Sequence, residues 1–482
     1  METTQQFETV IGLEVHLQLK TKTKIFCSCA NDFGGEPNTR TCPVCLGLPG
    51  TLPVFNKQVL DYGIKIGLAL NCAINNVIKF DRKNYYYPDL PKAYQISQFD
   101  LPIAKDGFLL VPSLNNELKK IRIHRAHLEE DAGKLMHDAV HPYSLVDYNR
   151  TGTPLMEIVS SPDMHSPQDA YDYLQTLKLT LQYLDVSDCD MEKGSLRCDA
   201  NVSIRPKGET KLGTKTELKN MNSFKAVKAA LEYEIARQTS VMLSGDKIIQ
   251  ETRLWDENKQ MTFSMRSKEE AHDYRYFPEP DLVPFTISDE KIQSIKKMIP
   301  ELPIDKYHRF IEHYHLSDYD ARLLIQDAPL ADFFEICAKN FHDTKKICNW
   351  LNTQVLQELN ERKAPISKTL LTPDNLIMLI QKTDAGIISN LAAKDVLKII
   401  FETGKQTEQI IEEQGLAQIS DDVTLEKIAD DLIRENQKVI EQIKNGEQKA
   451  LGFLIGQAMK KMNGKANPKK IGDILQRRIF HG

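Results

Sequence analysis

The stretch Ser195-Leu-Arg-Cys-Asp-Ala-Asn-Val-Ser-Ile-Arg205 decides the fold class of this chain. Apolar residues occupy every second position from Leu196 to Ile204, and polar or charged residues occupy most of the positions between them. Side chains of an extended strand point alternately to the two faces of a sheet. One face of this strand is therefore predicted to be buried and the other unusually polar. This pattern is typical of an antiparallel sheet with one face open to solvent or ligand.

Other segments in the first part of the chain show the same alternation, punctuated by glycine, proline and asparagine. The pattern predicts strands over 9–19, 121–130, 155–160 and 211–219, with a helix over 168–183. After Pro284 the apolar spacing becomes helical. Predicted helices cover 305–315, 317–326, 333–339, 345–360 and, as one amphipathic helix, 423–444. The expected fold class is α+β, with a β-rich first part and a helical remainder.

Composition places the chain among ordinary globular proteins. Of its 482 residues, 41% are hydrophobic and 27% are charged, which is enough apolar material for a large core. The N-terminus lacks the pattern of a secretory signal, and no apolar stretch reaches the roughly 18 residues of a membrane span. We therefore expect a cytoplasmic protein without a membrane partner. The net charge of −5 neither predicts nor excludes a nucleic-acid partner.

The most specific short motif is a pair of cysteine pairs: Cys27-Ser-Cys29 and, after twelve residues, Cys42-Pro-Val-Cys45. Thiolates arranged in two close pairs can complete a tetrahedral Zn²⁺ site. Gly47 follows the second pair and permits the tight turn of a metal-binding knuckle. A structural zinc site is the favoured interpretation. The alternative is four buried, reduced cysteines.

The predicted polar strand faces carry an imidazole and several carboxylates. Glu157 is the most unusual of them, because its neighbours in the sequence are apolar and a buried, unpaired acid is costly. The candidate Mg²⁺ ligands are Glu14, His16, Glu129, Glu157, Asp199 and Glu217. The candidate phosphate contacts are Lys215, Lys219, Arg150 and Arg197. Mg²⁺ with basic side chains suits phosphoryl transfer. The alternative is a set of unrelated solvated carboxylates.

The chain contains no GxxxxGKS/T phosphate loop, no GxGxxG fingerprint and no GxSxG nucleophile elbow. Its last part is distinctly basic: residues 449–482 contain eight Lys or Arg and one Asp. Such a segment is a candidate phosphate-binding surface, or else a solvated helix face.

Several ordered blocks together resemble one family. They are Ile11-Gly-Leu-Glu-Val-His16, Pro37-Asn-Thr-Arg-Thr-Cys-Pro-Val-Cys-Leu-Gly-Leu-Pro-Gly50, Arg82-Lys-Asn-Tyr-Tyr-Tyr-Pro-Asp-Leu-Pro-Lys92, His127-Leu-Glu-Glu-Asp-Ala-Gly-Lys134, Asp147-Tyr-Asn-Arg-Thr-Gly-Thr-Pro-Leu155, Arg197-Cys-Asp-Ala-Asn-Val-Ser203, Glu217-Leu-Lys-Asn-Met-Asn-Ser-Phe224, Asp273-Tyr-Arg-Tyr-Phe-Pro-Glu-Pro-Asp281 and Leu451-Gly-Phe-Leu-Ile-Gly-Gln457. The blocks resemble the GatB family, the B subunits of the GatCAB aspartyl/glutamyl-tRNA amidotransferase, along essentially the whole chain.

The resemblance implies a fold and a reaction. It implies an N-terminal cradle of antiparallel sheets with helices over 1–290, an all-helical middle domain over 291–407 and a small helical, tRNA-binding tail over 408–482. An amidase, the A subunit of the complex, would supply ammonia, and the small C subunit would complete a heterotrimer. ATP and Mg²⁺ would activate the side-chain carboxylate of Glu-tRNA(Gln) or Asp-tRNA(Asn), and ammonia would then amidate it.

The resemblance also assigns expected roles to residues of this chain. The catalytic region falls on Glu129, Glu157, Asp199 and Glu217, and the metal and nucleotide pocket includes Glu14 and His16. The four cysteines match the zinc-containing version of the family. The residues expected to contact tRNA are Lys460, Lys461, Lys465, Lys469 and Lys470.

Two other functions are alternatives to this one. An aminoacyl-tRNA synthetase would also use ATP and tRNA, but the chain has no HIGH-like or KMSKS-like signature. A non-catalytic, zinc-containing tRNA-binding scaffold would account for the cysteines and the basic tail, but not for the carboxylates. The sequence does not distinguish Glu-tRNA from Asp-tRNA as the substrate.

Overall fold

A computed structural model describes residues 7–112, 117–137, 142–265, 274–417, 422–444, 448–462 and 467–481. The chain divides into two compact units, Met1–Ile304 and Asp305–Gly482. The first unit is built around a large sheet, and the second is helical among its described residues. The α+β class is therefore confirmed.

The first unit contains sixteen strands and four helices among its described residues. The strands are β1 (Phe7–Gln18), β2 (Ala73–Ile74), β3 (Val77–Ile78), β4 (Asp81–Asn84), β5 (Tyr94–Ser97), β6 (Ala104–Pro112), β7 (Leu118–Glu130), β8 (Lys134–His137), β9 (Ser144–Asp147), β10 (Pro154–Ser160), β11 (Leu196–Pro206), β12 (Thr216–Lys219), β13 (Thr252–Asp256), β14 (Met261–Ser264), β15 (Phe277–Pro278) and β16 (Phe285–Thr286). The helices are α1 (Lys57–Ala69), α2 (Pro167–Tyr183), α3 (Phe224–Leu243) and α4 (Asp289–Lys296).

The main sheet runs in the order β14-β13-β12-β11-β1-β10-β7-β5-β4-β15, with β6 and β2 branching from β7. Its described neighbours are antiparallel except β12 and β13, which are parallel and are connected by α3. A parallel pair needs such a long crossover, whereas an antiparallel pair can be joined by a short turn. The central strands β11, β1, β10 and β7 carry every predicted carboxylate except Glu217, which lies on β12.

Alternation of residue type along the central strands decides which face is buried. Leu13, Val15 and Leu17 of β1 are fully buried, whereas Glu14 and His16 between them are partly accessible. Helix α3 packs against β11 and α2 on the apolar side. Ser166 and Asp169 close the N-terminus of α2 with a reciprocal capping box. The predicted one-sided sheet is therefore confirmed, with its polar face on the side away from this core.

The strand predicted over 211–219 is wrong in its first half, because regular pairing begins only at Thr216. A Cβ atom added to Gly213 would lie 2.1 Å from the carbonyl oxygen of Ile204. The backbone here approaches β11 too closely for any side chain, and the regular ladder between the two strands begins only where Thr216 pairs with Val202. The other predicted strands and the helix over 168–183 are confirmed to within a few residues.

In the second unit, the regular secondary structure of the described residues is helical. They are α5 (Pro303–Tyr314), α6 (Asp318–Ile325), α7 (Ala328–Asn340), α8 (Thr344–Trp350), α9 (Leu356–Arg362), α10 (Pro373–Asp384), α11 (Asn390–Thr403), α12 (Thr407–Glu413), α13 (Asp422–Glu435), α14 (Gln437–Lys444), α15 (Gln448–Lys461) and α16 (Pro468–His481). A π-helical segment, Leu351–Val355, joins α8 to α9.

Two of the predicted helices are not continuous α-helices. The helix predicted over 345–360 is helical throughout, with the π-helical turn inside it. The single helix predicted over 423–444 is wrong, because it is interrupted at Asn436. The side chain of Asn436 donates a hydrogen bond to the carbonyl of Leu432 at 2.9 Å. Asparagine competes in this way for backbone groups and weakens a continuous helix.

The last four helices enclose an apolar cluster of their own, which includes Leu425, Leu432, Leu454, Ile471 and Leu475. The predicted three-part division, with boundaries near residues 290 and 407, stays a prediction. In the described part of the chain, no helix combines the length and apolar character that crossing a membrane requires.

Candidate active site

Strand register brings the predicted carboxylates together on the polar face of the sheet. On neighbouring strands Glu14 lies opposite Asp199, and His16 lies opposite both Glu157 and Arg197. Directly opposed residues in an antiparallel pair point to the same face. Residues that are separated by long stretches of sequence therefore become neighbours only because these strands are paired in this register.

The tightest group on this face consists of His16, Glu129 and Glu157, which can offer three ligand atoms within 4.8 Å of one another. The Nε2 atom of His16 lies 3.3 Å from Oε2 of Glu157 and 3.6 Å from Oε1 of Glu129. Burial acts to lower the pKa of His16, but its hydrogen bond to Glu157 and the nearby negative charges outweigh burial and raise it.

His127 is buried beside this group, on the same face of the sheet and directly opposite Glu157. Its Nε2 atom is 3.4 Å from Oε2 of Glu157 and 3.8 Å from Oε2 of Glu129. Burial acts to lower the pKa of His127, but hydrogen bonds to the two carboxylates raise it to about 9. His127 is absent from the set of site residues predicted from the sequence. The signal that could have included it is its position two residues before Glu129, on the same strand face.

The same two histidines hold the pKa of Glu157 far below its usual range, although burial alone would raise it. The pKa of Glu129 is also lowered, against the effect of burial, chiefly by its hydrogen bond to His127. The two carboxylates are therefore held ionised, which is the charge state required of carboxylate ligands, whereas His16 would have to give up a proton to bind a metal ion.

Glu14, Asp199 and Glu217 form a second acidic group beside the first. Lys219 bridges two of them: its Nζ atom lies 2.6 Å from Oδ2 of Asp199 and 3.1 Å from Oε1 of Glu217. Thr252 donates a hydrogen bond to Oε2 of Glu217 at 2.7 Å. Burial, followed by the charges of Glu157, Glu217 and Asp199, raises the pKa of Glu14. This face therefore carries an excess of negative charge that a cation would relieve.

The four predicted phosphate contacts differ in their surroundings. Lys219 lies inside the acidic group, whereas Lys215 is exposed at its rim and lines a shallow pocket with Glu14. Arg150 and Arg197 both pair with the buried carboxylate of Asp131, each at 3.0 Å. Burial acts to raise the pKa of Asp131, but the two guanidinium charges outweigh it and lower the pKa.

Arg150 and Arg197 also line a cavity of about 560 Å³ at this end of the polar face. Three further cations line the same cavity: Lys20, Lys134 and Lys193. The two arginines are therefore anchored by Asp131, and they also border a cavity that both basic and acidic side chains line.

The four cysteines of the predicted knuckle converge as well. Their sulfur atoms lie within 4.8 Å of one another, on loops between β1 and α1. Gly47 adopts a left-handed φ of +67°, as the turn after the second pair requires. The hydrogen bond from Cys27 lowers the pKa of Cys45 to about 5. Four thiols at this separation fit a tetrahedral metal site.

A lysine lies directly behind the sulfur atoms. Lys24 has 0% of its surface exposed, and its Nζ donates to the carbonyl of Arg40 at 2.8 Å. The same nitrogen lies 3.8 Å from the sulfur of Cys45. A buried ammonium group beside thiolates offsets part of their negative charge.

Four of the five predicted tRNA contacts lie on α15 and α16. Lys460 and Lys469 are exposed, and the side chain of Asn467 accepts hydrogen bonds from the backbone N–H groups of Lys469 and Lys470. Lys461 pairs with Glu435 at 2.7 Å. Lys465 lies outside the described residues. The structure therefore shows an exposed basic segment that is partly neutralised by acidic neighbours.

Comparison with known proteins supports the same family over the whole chain. The GatB/GatE catalytic domain matches residues 9–293, and the GatB domain matches residues 332–479. The chain is 54% identical, over 98% of its length and 99% of the relative, to the aspartyl/glutamyl-tRNA(Asn/Gln) amidotransferase B subunit of Carboxydothermus hydrogenoformans. It is 51% identical to the B subunit of the same name from Myxococcus xanthus, over 98% of each chain. The chain therefore belongs to the GatB family of aspartyl/glutamyl-tRNA(Asn/Gln) amidotransferase B subunits.

Proposed function

We propose that this chain carries out the ATP-dependent amidation of Glu-tRNA(Gln), Asp-tRNA(Asn) or both, within a complex that also contains an amidase, the A subunit, and the small C subunit. The substrates are those in the names of its relatives. The observation that carries the proposal is the group formed by His16, Glu129 and Glu157, with a second acidic group beside it. We place the reaction in the cytoplasm, where charged tRNAs are used for translation.

The chemistry explains why such a site is needed. A carboxylate is a poor acyl donor to ammonia, because its leaving group would be an oxide. In the proposed reaction the γ-phosphoryl group of ATP is transferred to an oxygen of the substrate carboxylate, and ADP leaves. The ammonia nitrogen then bonds to the acyl carbon, inorganic phosphate leaves with the bonding electrons, and the nitrogen loses a proton. The products are the amide, ADP and phosphate.

The residues on the polar face fit Mg²⁺. Carboxylate oxygens with room for water are the ligands that this ion prefers. His16, Glu129 and Glu157 would hold one ion, and Glu14, Asp199 and Glu217 are the candidate ligands for a second. When bound, Mg²⁺ would offset negative charge between ATP and the anionic substrate. The raised pKa of Glu14, which arises from burial and neighbouring acids, supports the need for a cation.

The chain's own cations would then orient the anionic groups. Lys219 is held between Asp199 and Glu217 and could contact a phosphate oxygen without moving far. Lys215, at the exposed rim, could contact a more distal phosphate. Arg150 and Arg197 keep Asp131 paired and border the adjoining cavity. Positioning and charge compensation of this kind are most of what phosphoryl transfer requires of a protein.

The remaining predicted features fit supporting roles. Zn²⁺ bound by Cys27, Cys29, Cys42 and Cys45 would be structural, because four sulfur ligands leave no open position. The basic residues of α15 and α16 would contact tRNA phosphates, which fix a protein's position on RNA.

The decisive experiment feeds ammonia to the co-expressed complex in place of glutamine, so that the amidase is bypassed. We expect Glu129→Gln to abolish conversion of Glu-tRNA to Gln-tRNA. Glu257→Gln, in an exposed turn, is the matched control and should behave as wild type. Equal activity of Glu129→Gln and wild type would refute the proposed site.

The same assay separates the alternatives. A synthetase would release pyrophosphate, whereas the proposed reaction releases ADP and phosphate. A binding scaffold would give no ammonia-dependent product with either Glu-tRNA or Asp-tRNA. Reaction with Asp-tRNA alone would preserve the site and correct the choice of substrate.

A further inference from the structure

Four aromatic rings form a row at one edge of the main sheet. The centroids of Tyr85 and Tyr274 are 5.9 Å apart, and those of Tyr274 and Tyr276 are 6.2 Å apart. Phe99 and Tyr276 are stacked, with centroids 4.2 Å apart and ring planes 13° from parallel. The rings come from three separate segments, following β4, following β5 and preceding β15. Sheet pairing therefore assembles an aromatic row that no single segment contains.

The row lies next to the candidate active site. Ser97, two residues before Phe99, pairs with Glu129 across the sheet and lies 3.4 Å from its carboxylate. The charge of Glu129 also contributes, after burial, to the raised pKa of Tyr85 and of Tyr276. The aromatic row therefore lies close to the ligand group formed by His16, Glu129 and Glu157.

The row is also accessible and carries a positive charge. The exposed fraction is 49% for Phe99, 38% for Tyr274 and 86% for the adjacent Tyr86. The Nζ atom of Lys83 lies 4.7 Å from the ring centroid of Tyr274. Tyr85 and Tyr276 are half-buried, but core packing does not account for the exposed rings of Phe99 and Tyr274 beside them, because burial is what stabilises an aromatic residue in a core.

We propose that this aromatic row stacks the unpaired nucleotides at the 3′ end of the aminoacyl-tRNA substrate. The inference rests on the proposed function, because the reacting carboxylate is then attached to that 3′ end and must reach Glu129. Its unpaired bases would lie within reach of Phe99 and Tyr274. Proteins bind single-stranded RNA by stacking bases on aromatic rings and placing cations along the backbone.

A row of rings favours RNA over ATP as the occupant. ATP presents one base, whereas rings spaced from Tyr85 to Phe99 offer surfaces for more than one. Lys83 is suitably placed for a backbone phosphate between stacked bases. Stacking is largely independent of base identity, so the row would accept either substrate tRNA.

The test is a binding cycle on the intact complex. Uncharged tRNA and the same tRNA lacking its last two nucleotides are each titrated against wild type, Phe99→Ala, Phe99→Trp and Phe99→Leu. We expect the truncation to weaken wild-type binding by about tenfold or more, since stacking of even one base on an aromatic ring contributes about that much to affinity. In Phe99→Ala and Phe99→Leu the truncation should weaken binding by less than about threefold. The mutation has already removed the stacking contact that the truncation would remove. Phe99→Trp should resemble wild type.

Tyr319→Ala removes an exposed ring from α6, in the other unit of the chain, and is the control. It should show the full wild-type effect of truncation. Phe99→Leu keeps most of the apolar volume, so agreement between Leu and Ala excludes a folding defect.

Equal losses on truncation in wild type and Phe99→Ala would overturn the inference, as would an absence of any loss in wild type. The inference would also be overturned if Phe99→Ala raised the KM for ATP while truncation of the tRNA weakened its binding as much as it does in wild type. That result would assign the ring of Phe99 to the adenine of ATP. Binding of uncharged tRNA needs no chemistry. If the binding results were as expected but the ammonia-fed reaction failed, the failure would therefore count against the proposed function alone.

Discussion

The cysteine cluster and the carboxylate cluster are the two groups of potential metal ligands among the described residues, and they are built in opposite ways. All four cysteines come from residues 27–45 and lie on loops. The group of His16, Glu129 and Glu157 comes from three strands, β1, β7 and β10, and its members are up to 141 residues apart in the sequence. One site is local in sequence, and the other exists only when distant strands are paired.

The comparison teaches how each site depends on the rest of the protein. The loops that carry the cysteines have little regular structure, so a bound metal would contribute directly to their folding. The carboxylates are fixed by backbone pairing and by two partner side chains, the buried His127 and the half-buried Lys219. We therefore expect loss of a cysteine to act mainly on stability, and loss of a carboxylate to act mainly on activity.

The largest expected effect contrasts Glu157→Gln with Cys42→Ser. We expect Glu157→Gln to lower the ammonia-fed rate by more than about 100-fold, because even outer-shell partners of metal ligands are worth about 10- to 100-fold. Its Tm and zinc content should stay close to those of wild type. Cys42→Ser should lose zinc and lower the Tm by about 5 °C or more, since about 1 kcal/mol shifts the Tm of a domain this large by about 2–4 °C.

Zinc is measured by elemental analysis, Tm by calorimetry and rate by formation of amidated tRNA. Any activity that Cys42→Ser loses should return when the assay is run well below its Tm. If Glu157→Gln lost zinc, or if Cys42→Ser kept its full complement, the two sites would not be independent as described.

A smaller effect tests the surroundings of the cysteines. Lys24→Met removes the buried ammonium group beside Cys45 and leaves the carbonyl of Arg40 without its donor. Zinc release to a chelator should become about tenfold faster, because groups behind metal ligands tune affinity by about 10- to 100-fold. Lys22→Met, at an exposed position nearby, is the control and should release zinc as wild type does. Identical release from both variants would remove Lys24 from the site.

The smallest effect tests the surroundings of the carboxylates. Thr252→Val removes the 2.7 Å hydrogen bond that orients Glu217 but keeps the shape of the side chain. We expect the rate to fall by about three- to tenfold, because Lys219 still holds the same carboxylate. Thr214→Val, at an exposed position before β12, should have no effect. An unchanged rate in Thr252→Val would show that Glu217 needs no such support.

The difference between the clusters also explains what could be predicted from the sequence. The cysteine spacing predicted a cluster directly, because the ligands are close in sequence. Strand parity placed Glu14, His16, Asp199 and Glu217 on polar faces, but parity does not specify which strands are neighbours. The sheet order, and with it the contact of His16 with Glu157, depends on long-range pairing that short sequence patterns do not encode.

The errors have the same physical origin. Gly213 departs from a strand because of an approach to Ile204, which lies on another segment. The partners of Arg150 and Arg197 could not be foreseen either, since Asp131 reaches them only through tertiary packing. His127 was passed over because its burial beside Glu129 and Glu157 is a property of the assembled sheet.

The short sequence span of the cysteines has a consequence for synthesis of the chain on the ribosome. Translation delivers the N-terminus first, so Cys45 emerges well before Glu129, Glu157 or Glu217. At about 5–20 residues per second, the interval before Glu217 is on the order of tens of seconds. The thiols can therefore take up their metal while the carboxylate face does not yet exist. Soft and hard ligands would then be presented to the cell's metal ions one after the other, and this order would limit mismetallation.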